Sequence, residues 1–234
     1  MKSINGKQHP DSKPTHHDQI RDHIIAAAEK LYKKTGFNSI SMGGLAEEMS
    51  ISKKTIYQCF INKAELVDCI VSKQIANKKK ELEDRKRLAE NPIQEAFIAW
   101  HIIDEFVQDF NIYTQVQFKK SFLQTFKKII SFKNDFLFKL FKSNVDRGIT
   151  EGLYRGAINS GIISRYMVEI SFMSYNSKVF SHARFSSMEI DNQLLTYHLY
   201  GLATEKGVSL IRAYKNEALA HSSKYMDFVY DGTN

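Results

Sequence analysis

Apolar and polar positions repeat one short phrase three times in the first third of the chain: ISMGGL at 40–45, ISKKTI at 51–56 and INKAEL at 61–66. In each, an apolar residue precedes Ser or Asn, and a second apolar residue follows four positions later. That is a helix start. The Ser or Asn side chain accepts from free backbone N–H groups, and the flanking apolar pair clamps the entering chain. The pattern predicts staples from Ile40 to Leu45 across Ser41, from Ile51 to Ile56 across Ser52, and from Ile61 to Leu66 across Asn62. Starts this close leave room only for short helices, from Met42 to about Met49 and over about 53–60. A fourth helix starts at Asn62, where Glu65 completes a capping box. Upstream, Ile20, Ile24, Ala27, Ala28 and Leu31 share one helical face from about Asp18. Gly36 ends that helix, with Phe37 placed to touch Tyr32 in a left-handed C-cap.

The fourth helix is expected to continue into KKKELEDRKR at 78–87, whose charges suit a solvated helix face as well as phosphate contact. Asn91 and Pro92 mark another start, with proline at the first helical position. Ile93, Phe97, Trp100, Ile103 and Val107 make its apolar stripe. Phe118, Phe122, Phe126 and Ile129 repeat the pattern over 118–130, and Phe136, Leu137, Leu140, Phe141 and Val145 do so over 134–147. Gly148 and Gly152 mark a break, and two longer helices are expected over roughly 160–182 and 191–219. No segment alternates as a strand does, so the expected fold is all-α. The expected division is a flexible arm (1–17), a helix-turn-helix domain (18–68) and a helical domain (69–234).

Stepping 100° per residue from an inward Ile56 puts Cys59 and Phe60 in the core and spreads Lys54, Thr55, Tyr57 and Gln58 over the opposite side. An α-helix fits the major groove of B-DNA. Lys54 suits guanine O6 or N7, Gln58 suits adenine, and the Thr55 methyl suits a thymine methyl. Tyr57 has the length to reach a phosphate, and Lys53 borders the inner face and suits the DNA backbone. Ser41, Ser52 and Lys63 stand at helix starts, where backbone N–H groups favour an anion.

Charge sharpens this picture. The 234-residue chain carries a formal charge of +7, a weak pointer to an anionic partner. Residues 50–63 contain Lys53, Lys54 and Lys63 and no acidic residue, so the basic character concentrates at the third helix. Two cysteines exclude a disulfide framework. With no long apolar run and no apolar leader core, a cytoplasmic protein is expected. The eight histidines are scattered, His16 and His17 falling in the arm, and none has zinc spacing. No phosphate-binding glycine loop, nucleophile elbow or recognisable carboxylate pair suggests an enzyme. No cofactor or metal is expected.

At these residues the sequence resembles the tetracycline-repressor (TetR) family of bacterial transcriptional regulators. The resemblance covers residues 20–66 and rests on Ser41, Leu45-Ala46, Ser52, Thr55, Ile56, Tyr57, Phe60, Lys63 and Leu66. The chain departs from the family pattern at Lys54, Ser50 and Cys59; Ser50 stands where a turn glycine is usual, which implies a strained turn. Gly43 and Gly44 are poor helix formers within the second helix. The resemblance implies a homodimer formed through the last two long helices, a pseudo-palindromic double-stranded DNA operator, and a small hydrophobic or aromatic effector that releases it, with repression as the family tendency. Ten of the sixteen phenylalanines lie in 97–141. Trp100, Phe106, Tyr113 and Phe122 are the candidate pocket residues, with plain core packing as the competing reading. Two other readings stay open: a helical interaction protein whose reading helix is vestigial, and a redox-responsive regulator using Cys59 and Cys69.

Overall fold

A computed structural model describes residues 15–37, 39, 41–110, 116–176, 179–181 and 183–220. The candidate residue Tyr113, the staple residue Ile40 and the aromatic tail at 225–230 lie outside the described residues. The chain divides into two compact units, residues 1–70 and 71–234. Among the described residues the elements are helices, with one isolated bridge between Tyr154 and Ala203.

The first unit holds α1 (His16–Thr35), α2 (Met42–Glu48), α3 (Lys53–Cys59) and the start of α4 (Lys63–Leu88). Helix α1 begins before Asp18, because Thr15 and Asp18 close a full capping box. His16 and His17 therefore belong to its first turn rather than to an arm, and His17 Nε2 lies 3.4 Å from the Gln58 carbonyl. Its fully buried positions are Ile24, Ile25, Ala28 and Tyr32. Gly36 ends the helix with its N–H on the Tyr32 carbonyl, and Phe37 stacks on Tyr32 at 4.1 Å. Its φ is 80° and its ψ 158°, which is not the left-handed helical well but a region open almost only to glycine.

The three predicted caps are made. Ser41 Oγ accepts from Gly44 N at 2.9 Å, Ser52 Oγ from Thr55 N at 3.0 Å, and Asn62 Oδ1 from Glu65 N at 3.0 Å. The third staple is not. Ile61 is 81% exposed while Leu66 is buried. Glu65 Oε2 accepts from Ile61 N at 2.7 Å, one residue before the expected donor, and Phe60 fills the core instead. Between α2 and α3, Ser50 has φ 54°, so the turn does place a non-glycine residue in the left-handed region.

Arg21 fixes where α3 ends. Its guanidinium donates to the Cys59 carbonyl and, at 3.0 Å, to Cys69 Sγ, and it lies 4.2 Å over the Phe60 ring. Glu65 Oε1 is 3.7 Å away. One side chain of α1 thus holds the last turn of α3 and the first turns of α4. The sequence carried a signal: Arg21 precedes Ile24, Ile25 and Ala28 by three, four and seven residues, so a cation occupies an apolar-stripe position.

The second unit continues α4 and adds α5 (Pro92–Phe110), α6 (Val116–Ser121), α7 (Leu123–Ser131), a π-helical turn (Phe132–Leu137) and α8 (Phe138–Thr150). It ends with α9 (Ser160–Ile170), α10 (Ser187–Leu202) and α11 (Glu205–Ala220). The charged run on α4 is largely paired within the protein: Lys78 bonds Glu105 at 2.6 Å and Glu81 at 3.1 Å, and Lys80 bonds Asp84 at 2.6 Å. The start at Pro92 is capped by Asn91, whose Oδ1 accepts from Ile93 N and Gln94 N.

Two predicted helices differ from what forms. The helix expected over 160–182 stops at Ile170, and turns follow. The helix expected over 191–219 is two helices, because Ala203 is extended and pairs with Tyr154. Thr204 N donates to the Leu153 carbonyl and Thr204 Oγ1 accepts from Gly207 N. The last two long helices are therefore α10 and α11. This break leans on the turn after α8. Tyr154 is buried there and donates toward the Pro92 carbonyl and Asn144 Oδ1. Gly148 leaves room for its ring, and Gly207 for the Leu153 carbonyl.

Three outcomes are expected in chemical denaturation. Ser50→Gly raises unfolding free energy by about 1 kcal/mol through relief of the left-handed cost; an unchanged midpoint would show an unstrained turn. Arg21→Ala lowers it by roughly 1–3 kcal/mol. Gly207→Ala lowers it by roughly 1–3 kcal/mol, since a Cβ there meets backbone that cannot rotate away.

Candidate nucleic-acid interface and effector region

Helix α3 has two unlike sides. Ile56, Cys59 and Phe60 are buried, whereas Lys53, Lys54, Tyr57 and Gln58 are exposed. Tyr57 is 52% exposed, large for an aromatic residue in a unit this small. Thr55 is half-buried, and its hydroxyl lies 2.8 Å from that of Ser52. The capping residues Ser41 and Ser52 remain exposed while holding backbone N–H groups. Lys63, in the first turn of α4, is half-buried, and loss of hydration pushes its ammonium below the ordinary lysine range.

Gly43 has a use that helix propensity hides. The Lys53 stem crosses it so closely that a Cβ would come within 2.8 Å of Lys53 Cε. Glycine lets this lysine lie over the start of α2. Both cysteines are free. Cys59 is buried, which pushes its thiol up, and its Sγ lies 3.8 Å from His17 Nε2.

In the second unit, the described pocket candidates are all core residues. Phe106 meets Phe132 edge-on at 4.9 Å, Phe122 lies 5.1 Å from Phe118, and Trp100 packs among Ile93, Leu195 and Leu199. None of the three lines the apolar cleft of about 300 Å³ beside α10, which is formed by Phe180, Phe185, Glu189, Ile190, Gln193, Leu194 and Tyr197. Among the described residues, no group of three or more His, Cys, Asp or Glu side chains is placed to hold a metal ion.

Trp100 faces a polar group that sequence reasoning missed. Asp191 on α10 is 5% exposed, and burial is the main cause that pushes its carboxyl up to about 9. The neighbouring Asp104 carboxyl on α5 pushes the same way, while the Ser174 hydroxyl and the Trp100 indole oppose it. Burial also raises Tyr175, with Asp104 and Asp191 adding to it. Farther along α10, buried His198 is pushed down to about 4 and is neutral near pH 7. Polar residues inside long apolar helices were the available signal.

Asp191 gives a pH signature. Its ordinary value is 3.8, so between there and about 9 the folded chain holds a proton that the unfolded chain releases. This contribution to stability is complete below the lower value and is lost as pH rises through the window. Relative to the parent, Asp191→Asn should therefore become progressively more stable from acid toward pH 9 in urea titrations; a pH-independent difference would contradict the assignment.

Comparison with known proteins follows the same division. Residues 24–70 match the profile of bacterial regulatory proteins of the tetR family. Among curated proteins, no sequence matches the chain. Solved structures do resemble it in fold. A TetR-family transcriptional regulator from Marinobacter aquaeolei VT8 is 14% identical with a TM-score of 0.66, over 84% of this chain and 97% of that one. The ketosteroid transcriptional regulator KstR2 of Mycobacterium tuberculosis is 18% identical with a TM-score of 0.56, over 79% and 95%. The transcriptional regulator FadR from Bacillus subtilis, in complex with stearoyl-CoA, is 15% identical with a TM-score of 0.58, over 76% and 96%. With α1 to α4 in helix-turn-helix order, residues 24–70 carry the match to the tetR-family profile, and the chain as a whole shares its fold with TetR-type regulators.

Proposed function

We propose that this protein is a ligand-responsive transcriptional regulator, acting as a repressor in the cytoplasm, that binds a pseudo-palindromic operator as a homodimer and leaves it when a small molecule binds. The observation that carries this reading is the two-sided α3: an apolar side locked into the first unit and an exposed side of Lys53, Lys54, Tyr57 and Gln58. In this reading Lys54, Thr55 and Gln58 meet base edges, and Lys53, Tyr57, Ser41, Ser52 and Lys63 meet phosphates.

A single short helix reads only a few base pairs, so selectivity needs two copies. Pairing through α10 and α11 is supported by large apolar residues that α10 leaves exposed, Met188 at 72% and Tyr200 at 36%. The effector acts from the second unit, with Trp100, Phe106 and Phe122 as candidate residues around it. The stearoyl-CoA carried by the Bacillus subtilis regulator supports an organic ligand in this fold. Release requires the effector to bind the DNA-free state more tightly than the DNA-bound one.

The test is fluorescence anisotropy with DNA from upstream of the protein's own gene against scrambled DNA, at two salt concentrations. Selective binding that survives physiological salt is expected. Equal binding to both DNAs that vanishes with salt would reduce the interaction to phosphate attraction. Combining Lys54→Ala with Tyr57→Ala should weaken operator binding by on the order of a hundredfold while leaving the dimer intact by sedimentation. Retained affinity would mean that another element reads the DNA.

A further inference from the structure

Lysines of this protein are held in different ways. On α4, Lys78 and Lys80 are each matched by a carboxylate at 2.6 Å. Lys53, the first residue of α3, is exposed, and among the described residues its ammonium takes part in no hydrogen bond or ion pair. An unpaired surface lysine gains entropy by spreading its stem through many rotamers in water. This one instead lies back across another helix. A Cβ on Gly43, in the first turn of α2, would come within 2.8 Å of Lys53 Cε and 3.0 Å of its Nζ. Gly43 is accordingly half-buried. Its neighbour Gly44 is exposed, and a Cβ there would meet the Ser41 hydroxyl rather than the lysine.

Helix α2 has seven residues, two of them glycine, a composition that propensity disfavours. The fold itself does not require position 43 to lack a side chain. Gly43 is not among the residues with positive φ. The atoms that a methyl would meet are the far end of a flexible chain, which swings aside at little cost. What would move is the charge. The missing Cβ therefore bears on where the Lys53 ammonium sits, and not on whether α2 forms.

That place matters for an anionic partner. Helix α3 presents Lys54, Tyr57 and Gln58 outward. With its stem over α2, Lys53 carries its charge off that surface to the flank, above the first turn of α2. Side chains on the face of a helix in the groove reach base edges, whereas a cation at the flank meets the sugar-phosphate backbone. Residues 37–46 and 49–64 contain no acidic side chain, so neither segment cancels the charge locally.

We propose that Gly43 is a positioning residue for DNA binding: it seats the Lys53 ammonium over the start of α2, from where that charge meets a phosphate beside the groove that α3 enters. This rests on the reading of α3 as the DNA-reading helix, and it gives α2 a part that consists of space rather than of a contact. The contribution is electrostatic and blind to sequence, since the phosphates are alike at every base pair. Gly43 thus sets how tightly DNA is held, while Lys54, Thr55 and Gln58 set which DNA is held.

The experiment is a double-mutant cycle on the full chain, with Gly43→Ala, Lys53→Ala and both together. Binding is read by fluorescence anisotropy over a range of salt, on DNA from upstream of the protein's own gene and on scrambled DNA. Lys53→Ala is expected to weaken binding to both DNAs by about three- to tenfold, and to flatten the fall of log affinity with log salt by about 0.9 per protomer. Gly43→Ala should weaken both DNAs by a similar or smaller factor. Its preference for the upstream DNA should be unchanged, and its unfolding midpoint equal to the parent's or higher, since alanine favours the helix. Added to Lys53→Ala, it should cost nothing further. Full affinity in Gly43→Ala, a loss that adds to that of Lys53→Ala, or a lowered unfolding midpoint would overturn the proposal. Any of these beside selective binding by the parent chain refutes the part of Gly43 alone. No selective binding by the parent refutes the DNA-reading role of α3, and this inference with it.

Discussion

Every helix start leaves backbone N–H groups without helical acceptors, and the first unit must solve that problem three times between residues 41 and 63. Ser41, Ser52 and Asn62 solve it with short side chains that accept from the N–H group three residues ahead. Because the caps are local, α2 and α3 can be single short helices of seven residues each. Helices that short have little stability alone. They persist by burying Leu45, Ile56 and Phe60 in the core of the first unit, and what is left outward on α3 is polar and basic.

Capping sets where α3 begins; Arg21 sets where it ends. Its planar guanidinium meets a carbonyl, a sulfur and a ring face together, which a lysine point charge does not reproduce. The two opposing devices fix the helix along its axis, and the core fixes its rotation. The strained Ser50 lies in the turn that leads into α3, and Gly43, at the start of α2, leaves room for the Lys53 stem.

In the second unit the governing contact is the tight turn after α8. Buried Tyr154 reaches the start of α5, and the adjoining backbone pairs with the link between α10 and α11. Gly148 and Gly207 are needed there because side chain and carbonyl approach too closely for any Cβ. Against that rigid corner, buried Asp191, with the Asp104 carboxyl beside it, stands out as a group whose burial the fold maintains at a cost.

The sequence by itself determined what is local. Helix starts at 41, 52 and 62, the capped start at Asn91, the inward Ile56 and outward Lys54 follow from side-chain chemistry and a period of 3.6 residues. Ser50 was legible as a strained position because a turn needed glycine there. What depends on contacts between distant residues was decided only by tertiary structure. The break at Ala203 arises from pairing with Tyr154, forty-nine positions earlier in the chain. Ile61 turns outward because Glu65 captures its N–H and Phe60 takes the core, an exchange that periodicity does not encode. Arg21 and the Asp104–Asp191 pair stand in sequence as charges on apolar helix faces, but which groups they meet is decided only when other helices close around them.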